Sequence, residues 1–119
     1  MSKKVLVVGA SENPSRYSNK AMIKLKENNY EVFAFGNRPG KVIGIEILTE
    51  FPNKDMDTLT LYLNSKNQKQ YYNNIINSNP KRIIFNPGAE NKELSIIARK
   101  KGIEVINACT LVMLSIGNF

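Results

Sequence analysis

Short apolar runs alternate with stretches of helical periodicity along the whole chain, and this alternation restricts the fold more than any other feature. The runs lie at residues 5–8, 30–35, 58–63, 82–86 and 104–108. The first of them is a continuous β-branched-rich run that ends at Gly9, as is typical of a strand buried on both faces. Strands that alternate with helices form βαβ units, which build a parallel sheet with helices on both faces. The sequence therefore predicts a doubly wound, mostly parallel, five-stranded α/β sheet.

The segments between these strands carry helix and turn signals. Apolar residues at helical spacing predict one helix around 21–25 and another over 64–79. A third helix is expected over 93–101, where Gly102 ends it, and a short final helix in the apolar tail after 109. Residues 42–47 form a further short extended segment. A length of 119 residues suits one domain, so we expect a single domain over 1–119.

The composition excludes several kinds of chemistry. The chain has no histidine and one cysteine, Cys109. His-based acid–base catalysis and phosphohistidine transfer are therefore excluded, and no metal site is expected. A single cysteine forms no internal disulfide, which agrees with a reducing compartment. Because no apolar run approaches the roughly 20 residues of a membrane span and no signal-peptide pattern is present, we expect a cytoplasmic protein without a membrane partner.

The charge favours an anionic ligand. Seventeen basic and ten acidic residues give a formal net charge of +7, which suits a phosphate-rich molecule, a nucleic acid or a solvated surface of no specific use. The lysines are spread thinly apart from "ARKKG" at 98–102, and exposed aromatic residues for base stacking are not evident. We therefore expect a small-molecule nucleotide ligand rather than a nucleic acid.

The segment "GASENPSRYSN" at 9–19 follows the first strand, where doubly wound folds bind ligands. Small residues allow the backbone to approach an anion at the next helix N-terminus: Gly9, Ala10 and Ser11. Arg16 is within reach of a phosphate, and Ser18 or Asn19 is the expected N-cap. A single glycine does not make the dinucleotide motif with three, so a mere connection stays open as the alternative.

The turn after the second strand, "FAFGNRPG", lacks the acidic residue that NAD-binding domains place there. Arg38 stands in its place and suits a ribose phosphate, as in NADP or coenzyme A; the alternative is a surface arginine. An NADP-linked oxidoreductase would need an acid–base pair, and Tyr17 and Tyr62 have no lysine partner at a convincing spacing. A binding protein is therefore expected over an enzyme, with a regulatory interaction module without nucleotide as a further alternative.

After the fourth strand comes "NPGAEN" at 86–91. Asn86, Gly88 and Asn91 are polar or small, so they are expected to face the same crevice from its far side. A Pro-Gly turn with Asn91 as a helix N-cap explains the same residues equally well. The apolar tail at 111–119 must pack on its own domain or on a partner, which leaves a homodimer or an unknown protein partner open.

Five stretches together resemble a known family: "VVGASENPSRYSNKAM", "YEVFAFGNRPGKVIGIEI", "MDTLTLYL", "NPGAEN" and "GIEVINACT". In this order they resemble the small, single-domain CoA-binding proteins of bacteria and archaea, relatives of the CoA-binding domain of the succinyl-CoA synthetase alpha subunit. The resemblance implies a Rossmann-like fold that binds coenzyme A or an acyl-CoA. The synthetases act through a histidine in a separate domain, so the resemblance does not imply ligase activity here.

The resemblance also implies roles for the matching positions. In the first turn these are Gly9, Ala10, Ser11 and Asn13. At the phosphates they are Arg16, Ser18, Asn19 and Lys20. The adenosine and its 3′-phosphate would be held by Phe35, Asn37 and Arg38, and the pantetheine side would lie near Asn86, Gly88 and Asn91, with Cys109 in the family's N-x-C position. Cys109 would then either form a mixed disulfide with the ligand or stay buried and inert.

Overall fold

A computed structural model describes residues 3–119. Within this range the chain forms one seven-stranded sheet. The strands in chain order are β1 (Lys4–Val8), β2 (Glu31–Phe35), β3 (Gly40–Val42), β4 (Ile45–Leu48), β5 (Thr58–Leu61), β6 (Arg82–Phe85) and β7 (Glu104–Asn107). The α-helices are α1 (Tyr17–Glu27), α2 (Ser65–Gln68), α3 (Tyr72–Asn77), α4 (Lys92–Lys100) and α5 (Thr110–Ser115).

The spatial order of the strands is β3-β4-β2-β1-β5-β6-β7. All neighbours pair in parallel except β3 and β4, which are antiparallel. The chain runs outward from β1 through β2 to β4, then crosses back to β5 on the other side of β1. The doubly wound, mostly parallel α/β class is thereby confirmed, and the strand order reverses between β1 and β5.

The predicted count of five strands is wrong, because the segment around 42–47 contributes two more. This segment folds into a hairpin whose turn, Ile43 and Gly44, has positive φ at both residues (42° and 84°), as two-residue hairpin loops require. The Lys26 Nζ donates to the Ile43 carbonyl and ties the turn to α1. The second arm of the hairpin then joins the main sheet, since Ile47 pairs in parallel with Ala34 of β2.

Helices cover both faces of the sheet, as the alternation predicts. Leu6 and Val8 of β1 point to one face, where they pack with residues of α3 and α4. Val5 and Val7 point to the other face, which α1 and α5 cover. Every one of these four side chains is fully buried, so β1 forms the centre of a two-sided core.

Two helix predictions need correction. The helix expected over 64–79 is broken into α2, a 3₁₀-helical turn (Lys69–Tyr71) and α3. The first helix begins at Tyr17, so its N-cap is Arg16 and not Ser18 or Asn19. The helix predicted over 93–101 is confirmed as α4, and Gly102 after it has a φ of +78°.

The apolar tail forms the expected short helix, α5, which packs against α1. Beyond it, the Phe119 ring meets the Tyr30 ring edge-on at 5.0 Å. The Arg82 guanidinium also lies over the Phe119 ring, 4.4 Å from its centroid. Part of the tail thus packs on its own chain, whereas Val112 and Ile116 are exposed. Among residues 3–119, no helix has the length and apolar character needed to cross a membrane.

Candidate functional site

A cavity of about 810 Å³ opens beyond the carboxyl ends of the central strands. Its lining comes from the segments that follow β1, β2 and β5, with Pro87 after β6. This is the point where the strand order reverses, and in doubly wound sheets the two diverging connections there leave a crevice. The topology therefore creates the cavity, and the loop sequences determine what it binds.

The loops after the three strands touch one another through small residues. Gly9 has a φ of +93°, and a Cβ there would lie 3.2 Å from the Leu63 amide nitrogen. A Cβ on Gly36 would lie 2.5 Å from the Ala10 carbonyl oxygen, which no side chain tolerates. The amides of Gly9 and Ala10 both donate to the Phe35 carbonyl at 2.9 Å. The first loop is thereby fixed between the other two.

Side-chain hydrogen bonds hold the first loop in a defined shape. The Ser11 hydroxyl accepts from the Asn13 amide (3.0 Å), and the Asn13 Oδ1 accepts from both the amide and the hydroxyl of Ser15 (3.0 and 2.7 Å). The Asn19 side chain donates to the Ser11 carbonyl at 3.0 Å, which ties the loop to α1. Because these bonds form within the protein, the loop is organised before any ligand binds.

The N-terminus of α1 meets the cavity without a cap. Among residues 3–119 no side chain accepts from its first amides, and its first turn contains no acidic residue. Tyr17 and Ser18 of this turn line the cavity. The first amides of a helix have no intrahelical acceptor and carry the positive end of the helix dipole. The cavity therefore contains unpaired donors suited to an anion.

Charged side chains add to this positive potential. Arg16 and Arg38 are both exposed and line the cavity. Glu12 also lines it, but its carboxylate accepts from the Lys41 amide at 2.9 Å and lies against Gly40. This bond links the first loop to β3, which directly follows the loop that carries Arg38. The carboxylate is thus engaged by backbone, whereas neither guanidinium forms an ion pair with a residue in the range 3–119.

Aromatic residues form part of the wall. Phe35 is nearly buried, and its ring meets those of Tyr71 and Phe51 at centroid distances of 5.0 and 5.1 Å. Tyr62 also lines the cavity, and its hydroxyl has no hydrogen-bond partner among the described residues. Thr60 and Thr110 lie close to it, and their hydroxyls bond each other at 2.8 Å. Burial raises the pKa of Tyr62 to about 12, and the two threonines offset only part of that rise.

Nine of the residues singled out in the sequence line this one cavity. They are Gly9, Ala10, Ser11, Asn13, Arg16, Ser18, Phe35, Asn37 and Arg38. These residues come from the first two turns, which the sequence had placed at the binding edge of the sheet. The position of each turn after its strand was therefore sufficient to predict that these residues lie close together.

The other six do not line the cavity: Asn19, Lys20, Asn86, Gly88, Asn91 and Cys109. Asn19 is buried beneath the first loop that it supports, and the Lys20 ammonium lies 5.5 Å from the Tyr17 ring centroid. Gly88 is exposed in the turn after β6. Cys109 is partly exposed as the N-cap of α5.

Asn86 and Asn91 belong to buried hydrogen-bond networks instead of the cavity wall. Asn86 donates to the Thr60 hydroxyl and the Leu61 carbonyl, and its Oδ1 accepts from the Thr110 amide at 2.8 Å. Asn91 caps α4 through the Leu94 amide at 2.9 Å, so the alternative reading of this residue as an N-cap is confirmed. The expectation that these two side chains face the crevice is wrong, because their polar atoms are used to join β5, β6 and the helices.

The sequence interpretation missed the third wall of the cavity apart from Tyr62, which it weighed only as an acid–base candidate. Residues after β5 supply it: Tyr62, Leu63, Asn64, Asn67, Gln70 and Tyr71. The rule that placed the first two turns at the binding edge also applies to the third strand, so "YLNSKNQKQY" was the signal to consider. Gly36 was also missed. Only glycine fits there because the Ala10 carbonyl, which is far away in the sequence, lies too close for a Cβ.

The fold places the chain among doubly wound α/β proteins, and its cavity lies at the strand-order reversal. A family model described as a CoA binding domain matches residues 3–115. The chain therefore belongs to the CoA binding domain family. A comparison with curated proteins finds no match.

Solved structures share the fold over most of the chain. One of them, the crystal structure of an uncharacterized protein, has 45% sequence identity to this chain and a TM-score of 0.96, and the match covers 100% of this chain and 99% of the other. A hypothetical protein from Pyrococcus horikoshii is 25% identical, with a TM-score of 0.84 over 93% of this chain and 80% of that one. A Thermus thermophilus protein at 20% identity has a TM-score of 0.86 over 99% and 91% of the two chains, which shows the common fold.

Proposed function

We propose that the protein binds coenzyme A, or an acyl-CoA, in this cavity and performs no reaction on it. The observation that carries the proposal is the shared position of the uncapped α1 N-terminus, Arg16 and Arg38 around one cavity. Backbone amides at a helix start favour a diphosphate. A guanidinium across the cavity favours a further phosphate, because it donates two parallel hydrogen bonds to such a group.

The ligand's adenosine half then lies over the carboxyl end of β2. Its diphosphate accepts from the first amides of α1, beside Arg16, and its 3′-phosphate accepts from Arg38. Phe35 and Tyr71 give the adjoining wall an aromatic character that suits a base. The preformed first loop lowers the entropy lost on binding.

The cavity offers no group poised for proton transfer. Tyr62 keeps its proton at neutral pH, since its pKa is about 12. The Glu12 carboxylate is engaged with the Lys41 amide. A general base needs a free acceptor within hydrogen-bond reach of the proton it takes, and the carboxylate in the lining is already engaged. These observations support binding without catalysis.

Isothermal titration calorimetry of the purified protein with coenzyme A and with NADP tests this proposal. We expect coenzyme A to bind with a dissociation constant well below about 1 mM, and NADP to bind more weakly. Tighter binding of NADP would support the oxidoreductase-like alternative, since both ligands carry a ribose phosphate. Binding of neither ligand would refute the proposal and leave an interaction module without nucleotide.

A further inference from the structure

We propose that the segment after β5 holds the pantetheine arm of the ligand through a row of three carboxamide side chains. These are Asn64, Asn67 and Gln70, which all line the cavity. The inference rests on the proposed function and adds to it the residues that distinguish coenzyme A from a bare nucleotide. It also replaces the expectation that Asn86, Gly88, Asn91 and Cys109 lie along that arm.

The order of the strands gives the ligand its direction. Across the cavity the lining follows the sheet from β2, through β1, to β5. Arg38 lies at the β2 side and the α1 N-terminus follows β1. A ligand with its 3′-phosphate at Arg38 and its diphosphate at α1 therefore extends its remaining arm over β5. The three carboxamides lie on that side.

The helical geometry of the segment sets the three side chains in a row. They are spaced three residues apart, and the second half of the segment is a 3₁₀-helical turn over Lys69–Tyr71. Residues three apart are neighbours on one side of a helix, so Asn67 of α2 and Gln70 of the 3₁₀-helical turn follow one another along the side that lines the cavity. Asn64 is the N-cap of α2 and accepts from the Asn67 amide at 2.9 Å, which fixes the start of the row.

A buried glutamine fixes the orientation of the segment from its other side. Gln68 is fully buried, and its Nε2 donates to the Leu63 and Ala89 carbonyls at 2.8 and 2.7 Å. Its Oε1 accepts from the Asn91 side chain at 2.9 Å. All polar atoms of this amide are therefore engaged by the protein, and the row beside it is left to face the cavity.

Carboxamides match the chemistry of pantetheine. The arm has two amide groups, each with one N–H donor and one carbonyl acceptor. An asparagine or glutamine side chain supplies both a donor and an acceptor, and it carries no charge, so it stabilises a phosphate less than a guanidinium does. The Asn67 and Gln70 side chains are exposed and make no hydrogen bond to a residue in the described part of the chain.

Calorimetry of the Asn67→Ala/Gln70→Ala double variant tests the inference with two ligands. One is coenzyme A, and the other is 3′-phospho-ADP, which lacks the pantetheine arm. We expect the dissociation constant for coenzyme A to rise at least about fivefold, the size of one lost hydrogen bond, and that for 3′-phospho-ADP to stay unchanged. Both positions are exposed, so the variant is expected to fold.

The control is Asn73→Ala, an exposed asparagine of α3 that does not line the cavity; it should leave both affinities unchanged. An equal loss for the two ligands, or no loss for coenzyme A, would overturn the inference while the proposed function stands. If the unaltered protein binds neither ligand, the proposed function fails first and takes the inference with it.

Discussion

At the scale of single residues, Tyr62 is a polar group that is buried without gaining a hydrogen bond among the described residues. Its hydroxyl is enclosed next to two threonines, yet those threonines bond each other. From the sequence alone, the Tyr62 hydroxyl is a candidate for acid–base chemistry. The structure instead makes it a buried neutral group whose ionisation is disfavoured, and that has a measurable consequence at alkaline pH.

We predict that Tyr62 makes the fold sensitive to pH above about 10. In the unfolded chain the phenol ionises near its ordinary pKa of 10.0, but in the folded protein only near about 12. The stabilisation from the neutral phenol is therefore complete below pH 10 and is lost as pH rises through 12. Over that window the free energy of unfolding should fall by about 2 kcal/mol on this account alone.

Denaturant unfolding of the protein and of Tyr62→Phe at several pH values checks this. At pH 7 the two should be of similar stability, because the hydroxyl that is removed has no partner. Between pH 9 and 12 the unaltered protein should lose about 2 kcal/mol in free energy of unfolding relative to Tyr62→Phe. A difference that stays constant over this range would contradict the assigned ionisation.

At the scale of secondary-structure elements, α1 has an N-terminal turn whose residues are unfavourable for the stability of the helix. It begins at an arginine N-cap, with no acidic residue in the first turn and no side-chain cap. Such a start leaves its donors unsatisfied and places a cation at the positive end of the dipole. A bound diphosphate would relieve both defects. On the proposed function, this helix start is therefore less favourable in the ligand-free protein than in the complex.

Arg16→Asp should reverse that balance. An aspartate at the N-cap accepts from the free amides, so we expect the ligand-free protein to gain about 1 kcal/mol in free energy of unfolding. Affinity for coenzyme A should fall at least about tenfold, because a carboxylate then faces the diphosphate. Thermal unfolding without ligand and calorimetry with it measure the two effects.

Arg16→Ala serves as the control, since it removes the charge without adding a cap. It should leave the stability of the ligand-free protein nearly unchanged and weaken binding less than the aspartate does. A gain in stability from Arg16→Asp without any loss of affinity would show that the ligand does not use this helix start.

At the scale of the whole molecule, the features that could be predicted from the sequence are those that depend on the local residue pattern. The strand at 5–8, the loop after it and the helix ending at Gly102 are all encoded within a few neighbouring residues. The hairpin β3–β4 escaped because its strands have three and four residues, and their identity as strands depends on pairing with each other and with β2. Strand assignment at this length is decided by tertiary contacts more than by propensity.

The same limit applies to the site. Arg38 and the first loop were found because each lies directly after a strand. Gly36 could not be recognised, since its close neighbour is the Ala10 carbonyl of another loop. Asn86 was placed at the correct edge of the sheet, but which way its amide points depends on Thr60 and Thr110. Side-chain direction follows from partners that are distant in sequence.

The central claim joins the two halves of the cavity: the α1 N-terminus binds the diphosphate while Arg38 binds the 3′-phosphate. Its most direct test is calorimetry of the unaltered protein and Arg38→Ala with coenzyme A and dephospho-CoA, with Arg99→Ala, an exposed arginine outside the cavity, as the control. Arg38→Ala should weaken the binding of coenzyme A by about 1.5–3 kcal/mol and leave the affinity for dephospho-CoA unchanged. Equal affinity of the unaltered protein for both ligands, or an equal loss for both in the variant, would contradict the account.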